Sequence, residues 1–340
     1  MTEDVRLNQI EDWLTTVLPE IFRAQAWGEV PVGTLTAASS DASFRRYFRW
    51  AGDGRSLIVM DAPPPQEDCR PFVQVAGLLD AAGVHVPRIL AQDLERGFLL
   101  LSDLGQLTYL EVINATNADE YFQAAIDALL AFQRKQPTNG SLPLYDEALL
   151  TRELGLFPEW YVGRELDLTL SASQLERWQA VCRLLIDSAL AQPQVLVHRD
   201  FMPRNLMLST PNPGVLDFQD AVMGPVTYDI TSLFKDAFLS WPEPLVQRWL
   251  LGYWEQARAA GIPVQADFAD FQRASDLMGV QRHLKVMGIF ARIWYRDGKP
   301  RYVADTPRFL AYIRTVVARR PELADLGALL DELHAERAHP

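Results

Sequence analysis

Residues 198–205, which read His-Arg-Asp-Phe-Met-Pro-Arg-Asn, bring a carboxylate and an amide into one polar segment. The apolar stretches 195–197 and 206–208 flank this segment and predict a short strand on each side of it. Asp200 and Asn205 therefore lie in a loop that strands hold in place. The non-catalytic reading is a solvated loop in which these two side chains only cap the backbone.

A second carboxylate, Asp217, falls in a strand predicted over 215–218, after the proline-rich turn 209–214. The open ends of an antiparallel hairpin lie side by side, with Cα atoms about 5 Å apart. We therefore expect Asn205 and Asp217 to face one small volume, which Asp200 enters from the preceding loop. Such a small number of protein oxygen ligands suits Mg²⁺, because this ion keeps several waters and also binds substrate phosphates.

The elements that must position these groups divide into a β-rich part and a helical part. Residues 6–22 have the apolar spacing of an amphipathic helix, and Gly52-Asp53-Gly54 is typical of a hairpin turn. In the β-rich part we expect a strand over 56–60, a helix over 67–82, and strands near 88–93 and 97–101. Beyond it, helices are expected near 118–135, 144–165, 173–191, 227–239, 244–260, 265–293 and 306–317. The predicted fold class is α+β, with a small antiparallel-sheet lobe over 1–102 and a larger, mostly helical lobe over 103–340.

The composition narrows the classes of function. The chain has 340 residues, of which 49% are apolar, and this content is too high for bulk disorder. A net charge of -12 gives no electrostatic basis for binding nucleic acid, although a local cationic pocket could still bind an anion. No apolar run reaches the roughly 18 residues of a membrane span. Two distant cysteines and an N-terminus without signal-peptide character favour the cytoplasm.

The segment 198–205 matches the H-R-D-x-x-x-x-N catalytic loop of protein kinases, and 216–220 resembles their metal-binding D-F-G segment without its glycine. With Gly224-Pro225 and Tyr228-Asp229-Ile230, the pattern resembles the aminoglycoside phosphotransferase and choline kinase-like family over roughly 30–295. Glu159-Trp160-Tyr161 and residues 281–292 further resemble bacterial anomeric kinases of cell-wall recycling. This resemblance implies a protein-kinase-like two-lobe fold, ATP and Mg²⁺, and an amino sugar phosphorylated at C1.

The same resemblance assigns roles to the loop residues. It implies that Asp200 accepts the proton of the attacking hydroxyl, and that Asn205 and Asp217 hold Mg²⁺ on the phosphates. It makes His198 and Arg199 structural braces of the loop. Asp229 would accept backbone hydrogen bonds from the loop, or would act only as a carboxylate at a helix N-terminus.

The expected ATP clamp departs from the kinase pattern, because no G-x-G-x-x-G precedes the loop and no lysine precedes Lys135. Ser43 and nearby backbone N–H groups could cap phosphates, or the turn could be a plain hairpin. If the smaller lobe supplies a cation to ATP, that cation must be an arginine. The candidates are Arg45, Arg46 and Arg49; we favour Arg45 because it lies at the turn, although it could instead be a solvated strand charge.

Three further positions of the clamp follow from the resemblance. A carboxylate partner for the arginine would be Glu67 or Asp68, and the sequence does not choose between them. Asp103 and Gly105 lie where the hinge between lobes should contact adenine. Gly105 could allow a close approach of the nucleotide or could only form a turn.

The acceptor pocket is the least defined part of the predicted site. Its candidate residues are polar, cationic or aromatic: Glu153, Trp160, Arg282, His283 and Arg292. A basic cluster on one predicted helix suits an anionic ligand, or it is a solvated helix face: Arg282, His283, Lys285 and Arg292. It disfavours the cationic substrates of aminoglycoside, choline, thiamine or homoserine kinases. The incomplete ATP clamp leaves a nucleotide-binding pseudokinase as the alternative from a different class.

Overall fold

The computed structural model describes residues 4–40, 44–135 and 140–338, and the chain forms two compact units. The first unit contains Met1–Leu107 and Met207–Asp220, and the second contains Thr108–Leu206 and Ala221–Pro340. The sequence predicts a single boundary after residue 102. The division in the structure differs from it, because the segment that carries Asp217 belongs to the first unit.

The first unit is built on an antiparallel five-stranded sheet. Its strands are β1 (Thr34–Ser40), β2 (Arg46–Gly52), β3 (Arg55–Asp61), β4 (Ile89–Asp93) and β5 (Phe98–Ser102), in the order β1-β2-β3-β5-β4. The predicted turn between β2 and β3 is confirmed, since Gly52 pairs with Arg55 across it. Asp53 and Gly54 both have positive φ, +50° and +72°, as a two-residue hairpin turn of type I′ requires.

Helices α1 (Val5–Ala24) and α2 (Arg70–Ala81) belong to this unit. The helix predicted over 6–22 is confirmed, and its apolar positions form a single buried face. They pack on apolar side chains of the sheet in one core: Ile10, Trp13, Leu14, Leu18 and Phe22 with Trp50, Leu57, Val59, Phe98 and Leu100. Burial of each large apolar side chain stabilises the unit by about 1.5–3 kcal/mol.

The second unit is mainly helical. Its helices are α3 (Tyr109–Val112), α4 (Ala118–Gln133), α5 (Glu147–Leu156), α6 (Ala172–Leu190), α7 (Tyr228–Phe234), α8 (Glu243–Ala259), α9 (Phe268–Asp297), α10 (Thr306–Val317) and α11 (Ala324–Ala338). Strand β6 (Gln194–Val197) pairs antiparallel with β9 (Val222–Pro225). In the described ranges, no helix is both long enough and apolar enough to cross a membrane.

Helix α9 is the central element of the second unit, and nearly all of its side chains from Leu277 to Gly288 are buried. Gly288 permits a close approach, because a Cβ at this position would lie 2.4 Å from the backbone of Leu156. The helix begins with Asp267, whose carboxylate accepts from Ala269 N at 2.7 Å. It ends at Gly298, which has a φ of +68°.

Several sequence expectations were wrong in detail. The helix predicted over 144–165 ends as an α-helix at Leu156. A π-helical segment, Phe157–Glu165, follows directly and has Pro158 in its first turn. The short strand β7 (Leu206–Met207) pairs with β8 (Gly214–Val215), but β8 does not extend over 215–218. Asp217 has a φ of +63°, a left-handed conformation that ends a strand. The pattern also missed α3, β9 and α11.

Candidate active site

The backbone of the loop after β6 is held by Asp229, in the first turn of α7. Its carboxylate accepts from His198 N at 2.7 Å and from Arg199 N at 3.0 Å. The first alternative for Asp229, that it accepts backbone hydrogen bonds from the loop, agrees with these contacts. The second, that it is a carboxylate at a helix N-terminus, also describes its position. Complete burial raises the pKa of Asp229 to about 7, although both N–H bonds act to lower it. The two bonds orient the loop at Arg199, which has a φ of +76°.

Two further bonds fold the loop around Asp200. The buried ring of His198 accepts from Asp200 N through Nδ1 at 3.2 Å. Asn205, in the 3₁₀ turn Pro203–Asn205, donates from Nδ2 to the carbonyl oxygen of Asp200 at 2.9 Å. The Asp200 carboxylate is half-buried and takes no part in either bond. The loop is therefore braced through its backbone, which leaves the side chain of Asp200 for chemistry.

A buried ionic cluster holds the side chain of Arg199. Glu153, on α5, accepts from Arg199 at 2.6 Å and from Lys285 Nζ at 2.9 Å. Tyr145 and Gln281 also donate to its carboxylate. Burial acts to raise the pKa of Glu153, but the Lys285 and Arg199 charges lower it to about 2. The Glu153 carboxylate is therefore ionised, and it holds the side chain of Arg199, which directly precedes Asp200.

The sequence predicts Glu153 as an acceptor-pocket residue and does not predict its ion pairs with Arg199 and Lys285. Lys285 lies nearly buried on α9, with its Nζ 3.0 Å from the hydroxyl of Tyr228. No short motif joins Glu153, Arg199 and Lys285, because they come from three distant segments. A direct contact between Glu153 and a substrate stays a prediction.

The other acceptor candidates are spread over α9 and the π-helical segment. Arg282 is 2% exposed, and its Nη1 has no hydrogen-bond partner in the part of the chain that the structure describes. His283 is fully buried and stacks on Tyr312, with ring centroids 4.9 Å apart. Burial and the Arg282 charge hold the pKa of His283 well below its usual value, so this ring is neutral.

Arg282 and His283 are both buried, so neither residue lies on a solvated basic helix face, which was the alternative left open by the sequence. Arg292 and Trp160 are both half-buried. A substrate contact for any of the four side chains stays a prediction.

In the first unit, Arg45 lies beside Glu67, with Nε 3.6 Å from Oε2. Glu67 also accepts from Phe44 N at 3.2 Å, whereas Asp68 forms an ion pair with Arg70. Burial acts to lower the pKa of Arg45, but neighbouring groups, including Asp217 and Glu67, raise it above its usual value. The structure thus selects Glu67 as the carboxylate beside this arginine, a choice that the sequence left open.

Asp217 lies in the loop after β8, where its carboxylate accepts a hydrogen bond from Gln219. Gln219 Nε2 donates to Asp217 Oδ1 at 2.9 Å and to Asp220 Oδ2 at 3.3 Å. Phe218, between them, packs on Phe72 with ring centroids 4.7 Å apart. The packing of Phe218 therefore fixes the position of the carboxylate in the first unit.

The other residues of the predicted ATP clamp that the structure describes include Asp103 and Gly105. Asp103 pairs with Arg49 at 2.6 Å, and Arg49 also donates to the carbonyl oxygen of Gly105 at 2.8 Å. Gly105 N donates to Asp103 at 3.0 Å, and its φ of +108° favours glycine. Arg49 thus has a carboxylate partner in Asp103. Ser43 lies outside the described residues.

The donor set can be tested against Mg²⁺. Within 4–40, 44–135 and 140–338 there is no group of three or more His, Cys, Asp or Glu side chains that could hold a metal. Mg²⁺ is usually bound through one or two protein carboxylates, together with waters and substrate phosphates. The side chains of Asn205 and Asp217 carry oxygen donors of the types that this ion accepts, and both residues stay predicted ligands.

The fold and the catalytic-loop pattern define a kinase-fold phosphotransferase. Residues 34–268 match the model of the phosphotransferase enzyme family, and the chain belongs to that family. A solved choline/ethanolamine kinase family protein from Mesorhizobium loti has a TM-score of 0.60 at 16% identity, covering 88% of this chain and 92% of that one. An ADP-bound aminoglycoside phosphotransferase has a TM-score of 0.53 at 14% identity, covering 87% and 98%. The predicted α+β kinase-like fold is confirmed.

Curated relatives are far more similar in sequence. An N-acetylmuramate/N-acetylglucosamine kinase of Pseudomonas putida is 70% identical over 332 residues, which is 98% of each chain. A kinase of the same name from Pseudomonas aeruginosa is 67% identical, again over 98% of each chain. The similarity therefore includes both compact units.

Proposed function

We propose that this protein transfers the γ-phosphoryl group of ATP to the anomeric C1 hydroxyl of N-acetylmuramate and N-acetylglucosamine. The observation that carries this proposal is 70% identity, over 98% of each chain, to the kinase named for these two sugars. The braced Asp200 supports it, because its carboxylate takes no part in the bonds that hold the loop. We place the reaction in peptidoglycan recycling, which releases these amino sugars.

Asp200 is the proposed general base. Its carboxylate orients the sugar hydroxyl and accepts the proton as the oxygen attacks phosphorus. Asn205 and Asp217 would hold Mg²⁺, whose charge would neutralise the phosphate oxygens. His198, Arg199 and Asp229 act through the position of the loop. Phosphoryl transfer depends mainly on such positioning and charge neutralisation, with little covalent help from the protein.

ATP is the proposed co-substrate, and the ADP-bound relative of the same fold supports a nucleotide site. In this chain Arg45 replaces the usual lysine, with Glu67 as its carboxylate partner. Ser43, Asp103 and Gly105 are the further proposed contacts to the nucleotide. Free Cys69 and Cys182 fit the reducing cytoplasm, which we propose as its location.

We expect Arg45→Ala to raise KM for ATP by about tenfold, because one charge-assisted contact contributes about 1.5–3 kcal/mol. KM for the sugar should change less than KM for ATP. Initial rates over a range of both substrates measure the two effects. Arg55→Ala is the matched control, because Arg55 is an exposed arginine of β3 that lies over Trp27. Equal changes in both KM values would remove Arg45 from the phosphate-binding role.

A sugar panel tests the proposed function directly. The purified protein, Mg²⁺ and ATP are combined with N-acetylmuramate, N-acetylglucosamine, choline, homoserine, thiamine or an aminoglycoside, and ADP release is followed. We expect release with the two N-acetyl sugars. Release with another acceptor alone would assign a different small-molecule kinase. ATP binding without release on any acceptor would favour a pseudokinase.

A further inference from the structure

A pocket of about 270 Å³ lies against the catalytic loop, within the second unit. Its lining residues come from α3, the turn Pro203–Asn205, the segment after α7 and the turn Pro300–Asp305: Leu110, Arg204, Phe238, Tyr302 and Asp305. Arg204 directly precedes Asn205 and lies four residues after Asp200. The pocket therefore opens beside the loop that would receive the acceptor hydroxyl.

Arg204 brings a positive charge to this pocket. Its guanidinium carbon lies 5.4 Å from the centroid of the Phe238 ring, and the side chain is half-buried. Among residues 4–40, 44–135 and 140–338, no carboxylate forms an ion pair with it. Asp305, which also lines the pocket, pairs with Arg308 at 3.4 Å.

This arrangement contrasts with the other arginine of the loop. Arg199 is paired with Glu153 at 2.6 Å, so its charge is balanced within the protein. The Phe238 ring lies within cation–π distance of the Arg204 guanidinium, whose N–H groups could still donate hydrogen bonds to a ligand. A planar guanidinium held in this way suits a carboxylate, which it can bind through two parallel hydrogen bonds.

N-acetylmuramate differs from N-acetylglucosamine by a lactyl ether that ends in a carboxylate. We propose that Arg204 binds this carboxylate, and that Phe238 and Tyr302 pack against the body of the same acceptor. Arg204 is then the residue that determines the preference for the acidic sugar. This inference rests on the proposed function, and it adds the Arg204 guanidinium as the group that binds the lactyl carboxylate.

The first test compares kcat/KM for the two sugars in the parent and in Arg204→Gln. The ratio of the N-acetylmuramate value to the N-acetylglucosamine value should fall by about 10- to 100-fold, as expected for loss of a charge-assisted bond. Arg204→Lys should recover part of the ratio. The matched control is Arg258→Gln, an exposed arginine that lies 4.7 Å from the ring of Trp254. Its ratio should equal that of the parent.

A second test does not depend on the folding of the variant. The carboxamide of N-acetylmuramate, which lacks the negative charge, should be a poorer acceptor for the parent by a similar factor. If Arg204→Gln folds, it should discriminate little between the acid and the amide. An unchanged sugar ratio, or a parent that uses the amide as well as the acid, would overturn the inference. An equal fall for both sugars would instead assign Arg204 to the phosphates.

These outcomes are distinct from failure of the proposed function. If the parent phosphorylates neither sugar, the function itself is wrong. If the parent phosphorylates both sugars and Arg204→Gln leaves their ratio intact, only the role of Arg204 is wrong.

Discussion

Asp200→Asn should lower kcat for sugar-dependent ADP release by about 10³-fold, within the 10²–10⁴ range that a general base contributes. Asparagine has nearly the same shape as aspartate, but it cannot accept the proton of the sugar hydroxyl. The backbone bonds of residue 200, from its N–H to His198 Nδ1 and from Asn205 Nδ2 to its carbonyl, do not use the side chain. The fold and the loop should therefore be unchanged.

The measurement is the steady-state rate at saturating ATP and sugar, with the thermal unfolding midpoint as a check on folding. Asp187→Asn, at an exposed position of α6, is the control and should keep the parent rate. A variant at residue 200 that keeps its rate within about threefold would exclude Asp200 as the base.

Glu153→Ala should lower the free energy of unfolding by about 3–5 kcal/mol, the range for removal of one partner of a buried ion pair. The change leaves Arg199 and Lys285 without the carboxylate that both contact. Urea unfolding measures the loss. Glu147→Ala on the same helix is the control, because its exposed ion pair with Arg183 should contribute little.

A double variant separates the charge of Glu153 from its packing. Adding Lys285→Met to Glu153→Ala should restore part of the stability, since one unpaired cation is removed. A double variant no more stable than Glu153→Ala would show that Lys285 is not the cause. A Glu153→Ala protein with parent stability would show that the cluster does not anchor the loop.

The pH dependence of stability follows from the same carboxylate. The pKa of Glu153 is lowered from 4.5 to about 2 in the folded protein, so the unfolded chain binds this proton more readily. The stabilisation is therefore complete above pH 4.5 and is lost as the pH falls towards 2. The difference in unfolding free energy between the parent and Glu153→Gln should be constant above that window and should shrink within it. A difference that stays constant down to pH 2 would contradict this.

Much of the fold could be predicted because its signals are local. The apolar spacing of residues 6–22 predicted α1, and Gly52-Asp53-Gly54 predicted the β2–β3 turn. The loop 198–205 was recognised because a short, contiguous motif carries its residues. Such features need no knowledge of distant neighbours.

The remaining features depend on tertiary neighbours. Asp217 was placed on a strand because its flanking residues are apolar, whereas its left-handed φ ends the pairing at Val215. Arg282 and His283 are polar residues on a helix that is buried nearly all round, so helical periodicity could not give their burial. The choice of Glu67 over Asp68 required the position of Arg45 in space.

The phosphorylated product tests the central claim most directly. The protein is incubated with Mg²⁺, ATP and N-acetylmuramate or N-acetylglucosamine, and the product is examined by proton-coupled phosphorus NMR. A sugar phosphate resonance coupled to H1 is predicted for both sugars. A resonance coupled to H6, or no sugar phosphate at all, would contradict the proposed anomeric kinase.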